Sequence, residues 1–140
     1  LLSGSLLVGG LASCTDNKPK SPEAKRFEQL LAEARINKKD SVRYLVWNDM
    51  SCAGCRSYTA QLLQKGTNKE RVKMIVPLSF VNDIQTVAIN NVFVDSHKVF
   101  SKLYFGIDNI GIIDVYNNEV VGIKNYTANE MDSLKDDLDK

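Results

Sequence analysis

Net charge is almost absent from this chain: 18 Lys and Arg face 17 Asp and Glu, leaving +1. The lysines are scattered rather than striped, so no electrostatic footprint for nucleic acid is present. Long hydrophobic runs are lacking too. The one extended charge-free stretch, Leu1 to Ser13, is too short to span a bilayer. Histidine occurs once, at His97, so a site built on imidazole has a single candidate. Proline is sparse, and none follows Pro77. What remains is a globular composition, 44% hydrophobic and 25% charged over 140 residues, enough for one domain and a tail.

Two of the three cysteines form Cys52-Ala53-Gly54-Cys55. The strand-forming run Val42 to Trp47 precedes them, and a helix-forming stretch from Arg56 to Lys65 follows and stops at Gly66. A Cys in the first turn of a helix meets unsatisfied N–H groups and the positive end of the helix dipole. Both favour the thiolate, which is the nucleophilic form. The second thiol lies one helical turn on, close enough to close a disulfide.

The third cysteine, Cys14, follows the charge-free stretch. That stretch has the length and character of a signal-peptide apolar region, with no basic segment before it. Leu11-Ala12-Ser13-Cys14 resembles the bacterial lipobox, in which cleavage before the Cys is followed by lipidation of its thiol. Thr15 to Ser21 is polar and contains Pro19, as a tether would. Residues 1–13 are therefore read as a signal remnant, 14–21 as lipidated Cys and tether, and 22–140 as one domain. The expected location is the cell envelope of a bacterium, lipid-anchored and outside the cytoplasm, where thiol pairs are oxidised.

Ser21-Pro22-Glu23 reads as a helix start, with Phe27, Leu30, Leu31 and Ala34 on one apolar face and an end near Asn37. Lys38 to Asp40 is a turn. Val42 to Trp47 is apolar on both sides, as in a central strand. Cys55, Thr59, Leu62 and Leu63 share one side of the next helix. Val72, Met74, Val76 and Leu78 alternate as a strand. Residues 79–91 are ambiguous, with room for a short strand near Thr86 to Ile89. Val92 to Val94 is a strand. Asp95-Ser96 caps a helix carrying Val99, Phe100 and Leu103, which Gly106 ends. Ile110 to Tyr116 and Glu119 to Ile123 form a hairpin about Asn117-Asn118. Thr127 to Glu130 is a capping box for a last helix with Met131, Leu134 and Leu138.

This order, with Cys-x-x-Cys at the first strand-to-helix junction, resembles the thioredoxin fold over residues 42–139. The fold class expected is α/β, a central mixed sheet flanked by helices, with an N-terminal helix and an insertion near 79–95. The insertion is similar to that of TlpA-like and peroxiredoxin-like members, and the whole resembles thioredoxin-like lipoproteins of Bacteroidetes envelopes. Phe105-Gly106-Ile107-Asp108-Asn109-Ile110-Gly111 is similar to the family segment aromatic-Gly-Ile-x-x-Ile-Pro. Gly111 stands where the family keeps a cis-proline that packs on the cysteines and docks substrate backbone, so Ile110 and Gly111 are the expected docking loop. A Gly there would let the backbone approach the sulfurs closely. Ser51 replaces the family's Trp before the first Cys. Val46 stands at its buried Asp, leaving Asp49 and Glu70 as available acids. Ala53-Gly54 lacks the Pro of the reducing thioredoxins.

The resemblance implies a thiol–disulfide oxidoreductase. Cys52 would attack a substrate disulfide and Cys55 would resolve the mixed disulfide. Partners would be envelope protein thiols and disulfides and a membrane or periplasmic redox partner, with no cofactor. Three alternatives stay open. The pair forms an inert staple in a non-catalytic domain. Met50-Ser51-Cys52-Ala53-Gly54-Cys55 is similar to the Met-x-Cys-x-x-Cys loop of heavy-metal-associated domains, so Cys52, Cys55, Met50 and His97 would hold copper or zinc. That family, however, has the order βαββαβ. Peroxidase chemistry has Arg56 nearby but no Pro-x-x-x-Thr-x-x-Cys pattern. Tyr44, Trp47 and Tyr58 read as core or strand-face residues, and Asn125-Tyr126-Thr127 matches a glycosylation sequon whose Thr is already explained as a cap.

Overall fold

The computed structural model describes residues 19–33, 41–65, 71–84, 92–98, 100 and 105–140. In chain order these form α1 (Pro22–Glu33), β1 (Val42–Trp47), α2 (Ala53–Lys65), β2 (Val72–Pro77), a 3-10 segment (Leu78–Ile84), β3 (Val92–Asp95), β4 (Ile110–Tyr116), β5 (Glu119–Tyr126), a 3-10 turn (Ala128–Glu130) and α3 (Met131–Leu138). The fold is α/β, with one five-stranded mixed sheet in the order β3-β2-β1-β4-β5 and helices against it. Strands β1, β2 and β3 run parallel, while β4 is antiparallel to both β1 and β5.

Alternation along the strands sorts two cores onto the two faces. Leu45 and Trp47 of β1, Met74 and Val76 of β2, and Ile110 and Ile112 of β4 join α2 and α3 in a core that includes Cys55. Val42, Tyr44 and Val46, with Ile75, Ile113 and Val115, pack on Phe27, Leu30 and Leu31 of α1. Central β1 is buried along nearly its whole length, as a run apolar but for Arg43 predicts.

Local signals account for the element ends. Ala24 N–H donates to Ser21 Oγ at 3.2 Å, so Ser21 caps α1. Asn117 and Asn118 both take positive φ, 49° and 63°, the pattern of a two-residue hairpin turn. Glu130 Oε2 accepts the Thr127 N–H at 2.8 Å, the expected half of a capping box. The first turn after that cap is 3-10, and the α-helix starts only at Met131.

Other expectations need adjusting. β5 runs to Tyr126 rather than Ile123. A register shift next to Asp114 and Val115 puts Val120 and Ile123 on the same face and leaves Val121 exposed. The ambiguous stretch after β2 is a 3-10 segment through Ile84. After β3, Lys98 has a φ of 54°, and Asp95 Oδ2 accepts the Phe100 N–H at 2.9 Å, so the helix there begins later than Ser96. Ala34 to Asp40, Gly66 to Glu70, Thr86 to Ile89, Val99 and Leu103 fall outside the described residues, as do Cys14 and its flanks. Among the described residues no helix is long and apolar enough to cross a membrane.

Candidate redox site

The C-terminal end of β1 delivers the chain into a tight loop before α2. Asn48 shapes that loop. Its Oδ1 accepts the Met50 N–H at 2.8 Å and its C=O accepts the Ser51 N–H at 3.0 Å. An Asn side chain that bonds its own backbone two residues on is a turn former. Cys52 then occupies the capping position of α2. Its C=O accepts the Arg56 N–H at 3.0 Å, the first turn of the helix, and its Sγ accepts the Cys55 N–H at 3.0 Å.

The two sulfurs are joined as a disulfide, with the Cα atoms 5.1 Å apart. Their settings differ. Cys52 is exposed, while Cys55 is only 3% exposed and belongs to the α2 core. The sulfur that a substrate would meet is therefore also the one that receives a helix N–H. Such a bond is strongest to an anion, so the arrangement favours Cys52 as thiolate when the pair is reduced.

A second loop, 107–109, closes over the first. Asn48 N–H donates to Asn109 C=O at 2.9 Å, and Asn48 Nδ2 donates to Ile107 C=O at 2.8 Å. Asn109 Oδ1 accepts the Cys52 N–H at 2.9 Å. Asn109 Nδ2 donates to Tyr126 C=O at 2.9 Å and lies 3.5 Å from Cys55 Sγ. Asn125 Oδ1 accepts the Asp108 N–H at 3.0 Å. Three asparagines on three separate strand ends thus frame the pair. Asn48 was not among the expected site residues, Asn109 entered only as an unspecified position of the Phe105–Gly111 segment, and Asn125 only as part of a sequon. Their one signal was polar turn formers at the ends of apolar strands.

On the other flank, Arg56 turns back to the loop. Its Nη1 donates to Ser51 C=O, its Nε pairs with Asp83 at 2.9 Å, and its guanidinium sits 3.7 Å over the Phe80 ring. Arg56 therefore fastens the 3-10 segment to the cysteine loop. Behind the pair, Trp47 Nε1 donates to Thr59 Oγ1 at 3.0 Å, and both residues are buried. Tyr44 and Trp47 are core residues, as expected. Burial first, and the bond to Asp137 second, push the Tyr126 hydroxyl far above its usual range, so it stays protonated and donates to Asp137 at 2.7 Å.

Ile110 and Gly111, the expected docking loop, lie inside β4. Trp47 and Tyr126 flank Ile110, and Val46 and Asn125 flank Gly111. What Gly111 leaves room for is a side chain rather than a sulfur. Its face belongs to the α1 side of the sheet, opposite Cys55, and a Cβ there would overlap the Ile107 side chain. Val46 faces that side too, so the β1 side chains toward Cys55 are Leu45 and Trp47, both apolar. Asp49 is exposed in the turn, and Glu70 is outside the described residues.

The geometry brings Cys52 and Cys55 together. Met50 is 83% exposed in the turn before them. His97 is exposed in the turn after β3, two strands away from β1 in the sheet. Among the described residues no group of three or more His, Cys, Asp or Glu side chains converges. In comparisons with known proteins, no family model, curated protein or solved structure matches this chain.

Proposed function

We propose that this chain is a thioredoxin-like thiol–disulfide oxidoreductase acting outside the cytoplasm, held to a membrane by a lipid on Cys14. The observation that carries the redox reading is the asymmetry of the pair. Exposed Cys52 caps α2 and takes the Cys55 N–H on its sulfur, while Cys55 is buried beside it. An inert staple has no need of such a difference. The element order supports the fold comparison: β1-α2-β2, then an antiparallel hairpin and a closing helix, with the 3-10 segment and β3 as the addition. The anchor rests on Leu11 to Cys14 and the polar stretch that follows.

In the reducing direction, Cys52 thiolate attacks one sulfur of a substrate disulfide. A Cys52–substrate bond forms, and the other substrate sulfur leaves with the electron pair and takes a proton. Cys55 then attacks Cys52 Sγ, the mixed disulfide breaks, and the second substrate thiol departs. Two electrons pass from the dithiol to the substrate, and a redox partner restores the dithiol.

An insulin-reduction assay with a dithiol reductant tests the chemistry. Wild type should accelerate precipitation, and Cys52→Ser should abolish the acceleration. Equal rates for the two proteins would sink the reading. Stoichiometric copper or zinc on the reduced protein, without reductase activity, would favour the metal alternative. Radiolabelled fatty acid should enter the full-length protein in a bacterial host and fail to enter Cys14→Ser; label in both would remove the anchor.

A further inference from the structure

Buried Cys55 faces a physical difficulty that the exchange cycle must overcome. To resolve the mixed disulfide it must ionise, yet burial disfavours a thiolate. The β1 side chains on its face, Leu45 and Trp47, offer no base. The polar side chain that reaches its sulfur is Asn109, with Nδ2 at 3.5 Å.

The orientation of that amide is determined by its other bonds. Oδ1 must face the Cys52 N–H, which only donates, and Nδ2 must face Tyr126 C=O, which only accepts. A flipped amide would set donor against donor and acceptor against acceptor. With one Nδ2 hydrogen on Tyr126, the other is directed to the Cys55 side. The Asn109 backbone is held as well: its C=O accepts the Asn48 N–H at 2.9 Å, and its N–H donates to Asn125 Oδ1 at 3.4 Å. The side chain therefore cannot turn away without breaking several bonds.

We propose that Asn109 is a positioning residue for the resolving step, donating its second Nδ2 hydrogen to Cys55 Sγ. A disulfide sulfur is a weak acceptor, whereas a thiolate accepts a charge-assisted bond. The interaction is thus strongest once Cys55 has ionised and weaker while its sulfur is in the disulfide. In the same step Oδ1 holds the Cys52 backbone, so one side chain sets both the attacking sulfur and the residue it attacks. This rests on the thiol-exchange reading above. Cys55 loses its proton to solvent, its thiolate forms the bond to Cys52 Sγ, the Cys52–substrate bond breaks, and the substrate sulfur leaves with the electron pair and takes up a proton. Charged side chains on the surrounding elements include Asp49 before α2, Arg56 on it, Asp83 in the 3-10 segment, Asp108 before β4 and Glu130 before α3, while Lys124 of β5 and Asp137 of α3 pair with each other. Arg56 and Asp83 are paired with each other, and Asp49, Asp108 and Glu130 are exposed.

The test compares Asn109→Ala and Asn109→Asp with the parent. In a Cys52→Ala background, the pH midpoint of Cys55 alkylation by iodoacetamide should rise by about one unit in Asn109→Ala. It should rise further in Asn109→Asp, which turns an oxygen toward the sulfur. In the two-cysteine protein, a Cys52 mixed disulfide with thionitrobenzoate should collapse about tenfold more slowly at neutral pH in Asn109→Ala, because a unit rise leaves a tenth of the thiolate. The rates should converge at high pH, where Cys55 is ionised in every variant. An unchanged midpoint, or a slowing equal at all pH values, overturns the proposal, since a merely structural defect would behave that way. Asn109→Asp is nearly isosteric and carries both measurements if Asn109→Ala does not fold. The alkylation midpoint needs no substrate. A shifted midpoint in a protein whose wild type reduces no insulin would leave Asn109 standing and remove the exchange reading instead.

Discussion

Trp47 and Thr59 are joined by a buried hydrogen bond, indole Nε1 to Oγ1 at 3.0 Å, directly behind the cysteine pair. The same hydroxyl lies 3.0 Å from Cys55 C=O, so it links β1 to the turn of α2 that bears the buried sulfur. Thr59→Val keeps the shape and leaves the indole N–H unpaired. The expected loss of stability is about 1–3 kcal/mol, the cost of an unsatisfied buried donor. Trp47 is the sole tryptophan, so its emission during urea unfolding reads this site directly.

The exposed and buried cysteines should give opposite phenotypes when changed singly. Cys55→Ser retains the exposed thiol and loses the buried one, which in the proposed cycle resolves the mixed disulfide. It should accumulate mixed disulfides with thiol partners, seen as reductant-sensitive adducts on non-reducing gels. Cys52→Ser should accumulate none with protein partners, because the core leaves Cys55 open to a small reagent such as iodoacetamide but shields it from a protein thiol. Equal adduct formation by the two variants would contradict the assigned roles.

Gly111 has a packing reason that its place near the cysteines conceals. Its missing side chain is the space that Ile107 fills on the α1 face. Gly111→Ala should cost about 1–3 kcal/mol by forcing Ile107 aside. Shortening that neighbour in Gly111→Ala/Ile107→Val should recover part of the loss. A urea series on the two variants measures this, and an unchanged midpoint for the single variant would show that the strand accommodates the methyl.

Asp137 supplies an acid-sensitive link between α3 and β5. Lys124 first, then Lys140 and the Tyr126 hydroxyl, hold its carboxyl well below the usual carboxylate range. A group depressed in the folded state confers stability that is complete above its unfolded value, near pH 4, and is lost as pH falls through the folded value. Asp137→Asn should therefore lower the denaturation midpoint at neutral pH, and the gap from wild type should narrow below about pH 4. Both lysines are well exposed, so added salt should also shrink the gap.

Most elements were legible because their causes are local. Ser21 before Pro22, Asn117-Asn118 between apolar runs, and Gly106 at a φ of 79° each act within a few residues. The cysteine geometry is equally local, since a Cys at a helix cap and another three positions on are bonded through one turn. The 3-10 segment after β2 and the register shift in β5 were not legible. Both depend on what packs beside them, Phe80 under Arg56 in one case and the α1 core in the other.

The amino-acid order alone thus determined a central apolar strand, a helix with the cysteines at its start, and a partner thiol one turn away. Periodicity and capping are properties of neighbours in the chain. Tertiary structure decided which side chains surround the sulfurs. Asn109 reaches the pair from 57 positions beyond Cys52, and the Tyr126 carbonyl that orients it comes from the next strand over. It also decided which face of the sheet Val46 and Gly111 serve, and both serve the one away from Cys55. Hydrogen bonds between distant loops have no period and no fixed spacing, so only the paired register of β1, β4 and β5 brings these groups together.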